Sequence, residues 1–77
     1  MEREQRNAHL FAMVRAAIPA NSANRARVDE WLTELEKDAN NTFPGWGDRL
    51  LGFLRGLWAV GLIELNVIDI IDRELWT

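Results

Sequence analysis

Residues 23–39 read ANRARVDEWLTELEKDA, and the spacing of their apolar side chains decides the fold class. Val28, Trp31, Leu32, Leu35 and Ala39 recur at helical intervals and form one narrow stripe. Asp29, Glu30, Thr33, Glu34, Glu36 and Lys37 lie off it, as the solvated side of an amphipathic helix requires. Asn24 sits one turn before Val28 on the same line, so the stripe turns polar where the helix begins. The expectation is a helix from about Ala23 to Ala39, with Trp31 in the core.

Working outward, the chain upstream reads as a stop and a restart. Pro19 forces the residue before it out of the α region, which ends a first helix spanning about Glu2 to Ala17. Leu10, Phe11, Val14, Ala17 and Ile18 share its apolar face. Asn21 or Ser22 is of the type that caps the next helix. Downstream, Asn40-Asn41-Thr42 breaks the pattern, and Phe43-Pro44-Gly45-Trp46-Gly47 reads as a turn-rich loop.

A third helix is expected from about Asp48, its candidate cap, to Val60. Its apolar arc is wide: Leu50, Leu51, Phe53, Leu54, Leu57, Trp58 and Val60. That width suits a central helix, and Gly52, Gly56 and Ala59 suggest a neighbouring backbone close against the remaining side. Gly61 fits the position that closes the helix. A fourth segment starts at Glu64 or Asn66 and runs to about Trp76. Val67, Ile68, Ile71 and Leu75 face one way, and Asn66 with Asp69 resembles a capping box. The β-branched run there also suits a strand. Helix is preferred, because no other segment supplies a second strand and a lone strand has no ladder.

The reading is therefore all-α: one domain, 1–77, built as a compact bundle of four short helices, the last two an αα-hairpin. A chain this short hides only about 60% of its unfolded surface. It has no cysteine and one histidine, His9, so disulfides and thiolate or histidine-rich metal sites are excluded. Apolar residues make up 48%, with four tryptophans, more than one small core hides. Self-association, as a homodimer or larger homo-oligomer, or a partner protein is expected.

Net charge is −3, unevenly spread. Residues 1–27 carry five arginines against Glu2 and Glu4, +3; residues 28–77 carry ten acids against Lys37, Arg49, Arg55 and Arg73, −6. The acidic body argues against nucleic acid as a partner. Arginine outnumbers lysine eight to one, a bias that suits a high-GC genome, bacterial or phage. No secretory signal opens the chain, and the apolar run Leu50 to Ile63 is interrupted by Arg55 and too short for a bilayer. A cytoplasmic protein with no membrane partner is the expectation.

Catalysis needs a nucleophile and a placed base, and the stock is Ser22, three threonines and His9. Ser22 reads as a cap and His9 as a boundary residue, so no enzyme and no cofactor is expected. Asp38, Asn40 and Thr42 begin like a calcium loop, but Phe43 replaces its glycine and Arg49 its bidentate glutamate. No Gly-rich phosphate loop occurs. The last two helices have the outline of a helix-turn-helix, yet Asp69, Asp72 and Glu74 would repel phosphates.

The functional expectation is a non-enzymatic protein that acts by binding another protein, as a regulator, adaptor or inhibitor of a larger machine. Size, acidity and arginine bias suit a phage- or plasmid-encoded inhibitor of the anti-defence type. The alternatives are a helix-turn-helix-like DNA-binding regulator and a purely structural homo-oligomer. Candidate anchors are Trp46, set between glycines in a loop, and Trp76, which follows the buried face of the fourth helix. The acidic column Glu30, Glu34 and Asp38 is the candidate charged contact.

Overall fold

A computed structural model describes residues 2–76. Four helices follow in order: α1 (Glu2–Ala17), α2 (Arg25–Asn40), α3 (Trp46–Ala59) and α4 (Leu65–Leu75), with no strand among the described residues. The fourth segment is thus a helix despite its β-branched run. Ile68, Ile71 and Leu75 recur at helical spacing, and burying them outweighs the small loss of propensity.

Successive helices run antiparallel. Asn7 and Arg15 of α1 meet Asn40 and Glu36 of α2 in reversed order. Asp38 and Trp31 of α2 meet Arg49 and Phe53 of α3 in the same reversed sense. Gly47, at the start of α3, lies beside Leu75, at the end of α4, so the last two helices form a hairpin. α1 borders α2 and α4, and α3 borders the same two, which closes the four helices into a ring. The space inside is filled by Leu10, Phe11 and Val14 from α1, Leu32 and Leu35 from α2, Leu50 and Leu54 from α3, and Ile71 from α4.

The helix ends depart from the caps read off the sequence. Neither Asn21 nor Ser22 caps α2. Asn24 holds that position without a side-chain bond, and the Ser22 hydroxyl is buried without a partner among the described residues. Arg25 does the work at this corner, bonding Asp29 one turn on and donating to the carbonyl of Ile18 at 2.7 Å. It thereby satisfies one of the carbonyls that the end of α1 leaves orphaned.

Asp48 does not start α3; Gly45 does. With φ at 81° it turns the chain so sharply that helix begins at Trp46. α4 begins at Leu65 with Glu64 at its cap, the first of the two starts read from the sequence, and the Asn66–Asp69 box is not formed.

Two helices end in Schellman motifs. At α3, Leu62 N–H bonds Leu57 C=O at 2.9 Å and Gly61 N–H bonds Trp58 C=O at 2.9 Å, with Gly61 at φ 80°. At α2, Phe43 N–H bonds Asp38 C=O at 2.8 Å and Thr42 N–H bonds Ala39 C=O at 3.1 Å. There the left-handed residue is Thr42, at φ 52°, a conformation its branched side chain resists.

Two packing expectations are corrected. Trp31 is 45% exposed, not core. The buried line of α2 is Val28, Leu32, Leu35 and Ala39, and Trp31 stands at its edge. Its ring meets Phe53 edge-on at 6.5 Å and covers the seam between α2 and α3. Gly52 and Gly56 admit no neighbouring backbone either: a Cβ built on each meets nothing within 4 Å. The buried arc of α3 is Leu50, Leu51, Leu54 and Leu57, and the glycines lie opposite it, on the outside of the ring.

Candidate functional site

The end of the bundle where α1 starts, α2 stops, α3 starts and α4 stops carries three clefts. One, of about 470 Å³, is walled by Glu2, Arg3, Glu4 and Asn40. The two others adjoin each other. The first of these, of about 310 Å³, is walled by Arg6, Gly45, Trp46, Asp48, Leu75 and Trp76. The second, of about 320 Å³, is walled by Glu2, Arg3, Arg6, Asn7, Ala39, Thr42 and Trp46. Arg6 and Trp46 belong to both, so the two are halves of one indented surface.

The two tryptophans expected to be anchors are therefore brought together, but they differ in kind. Trp46 is not a loop residue that projects. Because Gly45 turns the chain, Trp46 is the first residue of α3 and falls on the line of Leu50, Phe53 and Leu57. It is half-buried and packs against the core, its ring 6.3 Å from that of Phe11 at a 32° tilt. The sequence placed it in a loop because Pro44 and Gly45 read as turn residues. The turn they make is the start of a helix.

Trp76 is 69% exposed. It is also held: its indole Nε1 donates to Asp72 Oδ1 at 2.8 Å, one turn back on α4. The apolar body of the ring is left toward solvent while its polar edge is fixed. Asp72 entered the sequence reading as one of three acids that would repel phosphates; its spacing of four from Trp76 is the signal that finds this bond.

The acidic column is less available than its sequence suggests. Glu30 is exposed and unpaired among the described residues. Glu34 lies 3.8 Å from Lys37 Nζ. Asp38 is half-buried and bonded to Arg49 at 3.0 Å, and that guanidinium also lies over the Phe43 ring at 5.2 Å. Asp38 is thus part of the α2–α3 joint. None of the three lines either cleft, so the structure does not bring the column and the tryptophans together.

Asn7 was missed by the sequence reading. It is fully buried and lies one turn before Leu10 and Phe11 on the same face. Its Nδ2 donates to Asn40 Oδ1 at 3.0 Å, and its own Oδ1 is buried without a partner among the described residues. A polar residue that extends an apolar stripe by one turn was the available signal, as it was noted for Asn24.

Comparison with protein-family models, curated proteins and solved structures finds no match to this chain. No helix among the described residues is long and apolar enough to cross a membrane.

Proposed function

We propose that this chain is a non-catalytic binding protein that holds another protein against the end of the bundle formed by Trp76 and Trp46. It would act there as a regulator or inhibitor, in the cytoplasm. The observation that carries this reading is Trp76: a large ring, mostly exposed, yet fixed by its bond to Asp72. A free surface tryptophan loses rotamer freedom when it binds, whereas a ring already held loses less. Tryptophans in such settings are the side chains from which contact surfaces draw most of their energy. The half-buried Trp46 supplies the rigid floor of the cleft beside it. Glu30 and its neighbours, displaced from the cleft, contribute through long-range attraction of a basic partner.

The test is quantitative retention from a lysate of the native host on immobilised parent and Trp76→Ala protein, with folding checked by circular dichroism. Proteins held by the parent and lost from the variant support the reading. Equal retention on both, or none on either, sinks it.

A second reading, self-association, is favoured by the outer face of α3. Asp48, Gly52, Arg55 and Ala59 stand on one exposed stripe. Asp48 and Arg55 make no ion pair among the described residues. They flank Gly52, so two copies of α3 packed antiparallel would set each Asp48 against the other copy's Arg55, with the glycines at the crossing. Sedimentation equilibrium of the parent and an Asp48→Arg variant decides this. A dimer weakened by the single change and restored by Asp48→Arg with Arg55→Asp is expected; a monomer throughout removes the reading.

A further inference from the structure

We infer that the face formed by α2 and α3 binds a second copy of the chain, about a two-fold axis that runs along the seam between the two helices. This rests on the self-association reading, but sets α3 against α2 of the other copy rather than against its own counterpart. It uses a part of the bundle away from Trp76, so capture of a foreign partner there is independent of it.

Trp31 of α2 lies beside Phe53 of α3, and Asp38 beside Arg49. The two helices are antiparallel and rise equally per residue, so these contacts fix which residues stand at the same height. Glu30 is level with Arg55, and Lys37 with Asp48. Trp31 is level with the stretch from Gly52 to Gly56, and Arg27 with Ala59 in the last turn of α3.

A two-fold axis along the seam keeps heights and exchanges sides, so α2 of each copy lies antiparallel on α3 of the other. Residues level with each other across the seam then face each other between copies. Glu30 meets the other copy's Arg55, and Lys37 the other copy's Asp48, with opposite charges at both positions. All four side chains are exposed. Glu30, Asp48 and Arg55 make no ion pair among the described residues. Lys37 approaches Glu34 only at 3.8 Å, with both side chains more than half exposed, so its ammonium is able to turn to a better partner. Asp38 and Arg49 neutralise each other within the copy. Glu34 falls between the heights of the other copy's Arg49 and Arg55. Arg27 falls on the last turn of the other copy's α3, where the helix dipole favours a cation.

Shape follows the same exchange. The Trp31 ring, 45% exposed, stands over the seam from the α2 side. On α3, Gly52 and Gly56 are exposed, with nothing within 4 Å of where a Cβ would be. The axis seats each ring on the other copy's glycines. A foreign partner sets no relation between the two sides of one seam. A second copy needs opposite charges, and a ring and a hollow, at matching heights on those two sides, which is what α2 and α3 present. The contact also covers apolar surface that so short a chain leaves exposed.

The experiment is sedimentation equilibrium of the parent, expected to be a dimer, and of variants checked for folding by circular dichroism. Trp31→Ala removes the ring from both halves of the contact and is expected to weaken the dimer about a hundredfold. Glu30→Arg and Lys37→Glu are each expected to weaken it about tenfold. Glu30→Arg with Arg55→Glu, and Lys37→Glu with Asp48→Lys, are each expected to restore it.

The inference is overturned by a folded Trp31→Ala that dimerises like the parent, or by charge reversals that the second change does not rescue. Should Trp31→Ala fail to fold, the charge exchanges decide alone. Asp48→Arg with Arg55→Asp separates this contact from pairing of α3 with its own counterpart. Here that double change sets like charges together at both positions, and the dimer is lost. A dimer restored by it defeats this inference and leaves the α3–α3 reading standing. A monomer throughout defeats both.

Discussion

Asn7 and Asn40, 33 residues apart, are joined by a bond of 3.0 Å that ties the first turns of α1 to the last turn of α2. Asn7 is fully buried and Asn40 only half so, which makes the link unequal. Solvent can replace what Asn40 loses, but nothing among the described residues supplies what Asn7 lacks. A residue of this kind sits in the core at some expense to stability.

The first prediction follows. Asn7→Leu keeps the volume, removes the unsatisfied amide atom and extends the apolar stripe of Leu10, Phe11 and Val14. It is expected to stabilise the domain by about 1 kcal/mol, since an unpaired buried polar atom costs about 1–3 kcal/mol and the lost bond is worth about 1 kcal/mol. The thermal midpoint should rise by about 4–8 °C. A lower midpoint would mean that Asn7 is satisfied in solution, by water or otherwise.

Thr42 holds a left-handed conformation, φ 52°, at the Schellman end of α2, where the same motif in α3 has Gly61 at φ 80°. Thr42→Gly removes a backbone penalty of about 1–2 kcal/mol and adds unfolded-state entropy worth about 0.5–1 kcal/mol. A net gain of about 0.5–1 kcal/mol is expected, read as a higher urea midpoint at unchanged slope. A midpoint that falls would show that the Thr42 side chain, whose hydroxyl bonds the Asn41 carbonyl at 2.7 Å, contributes more than its conformation costs.

The fold was legible in the sequence where periodicity was strong, and the site was not. Leu32 and Leu35 in α2, and Leu50, Leu54 and Leu57 in α3, recur at helical spacing and are buried. Pro19 and Gly61 mark the ends they were read to mark. The starts of α2 and α3 were displaced, because a cap depends on which residue takes a non-helical φ. Gly45 does so ahead of Asp48, and that three-residue shift of the cap moved Trp46 from an expected loop onto the core. The wide apolar arc of α3 likewise could not tell which side faced outward. In a ring of four helices every member has an open side, and that of α3 holds Gly52 and Gly56. The clefts join residues from both ends of the sequence, Arg6 with Trp76, and only the antiparallel closure of α1 against α4 brings them together.

Core truncation separates the buried line of α2 from its edge. Leu32 and Leu35 are buried on all sides, and Leu→Ala at either is expected to cost about 2–5 kcal/mol. That is much of the stability of a domain this size. Trp31→Ala, at a half-exposed ring touching Phe53, should cost markedly less despite the larger side chain removed. Denaturant midpoints of the three variants rank them. A Trp31 loss as large as that of Leu32 would mean the indole is more deeply packed in solution.

Gly52→Ala and Gly56→Ala test what the outer face of α3 is for. Each glycine is mid-helix with open space around its Cβ position, so alanine should add about 1 kcal/mol of helix stability at each site. If α3 pairs with a second copy, the same changes wedge the crossing and weaken association. A more stable monomer with a weaker dimer is therefore the expected pair of results from chemical denaturation and sedimentation. Alanines that leave association untouched place any self-contact elsewhere.

The last prediction sets the two cleft tryptophans against each other. Trp46 lies on the buried line of α3 and packs on Phe11, so its ring supports the fold as well as the cleft. Truncating it removes a half-buried aromatic that meets Phe11 across the ring of helices and is expected to cost about 2–3 kcal/mol. Trp76 is mostly exposed, near the end of α4, and its one bond is to the exposed Asp72. Its removal should change stability by less than about 1 kcal/mol. Binding is expected to divide the other way, with Trp76→Ala folded but losing partner retention. Asp72→Asn, whose amide oxygen can still accept from the indole, should retain partner better than Asp72→Ala, in which the ring is released. Thermal midpoints and retention measured on the four variants together give the answer. Should Trp76→Ala melt as low as Trp46→Ala, the exposed ring is a lid on the core and the contact surface must be sought on another face.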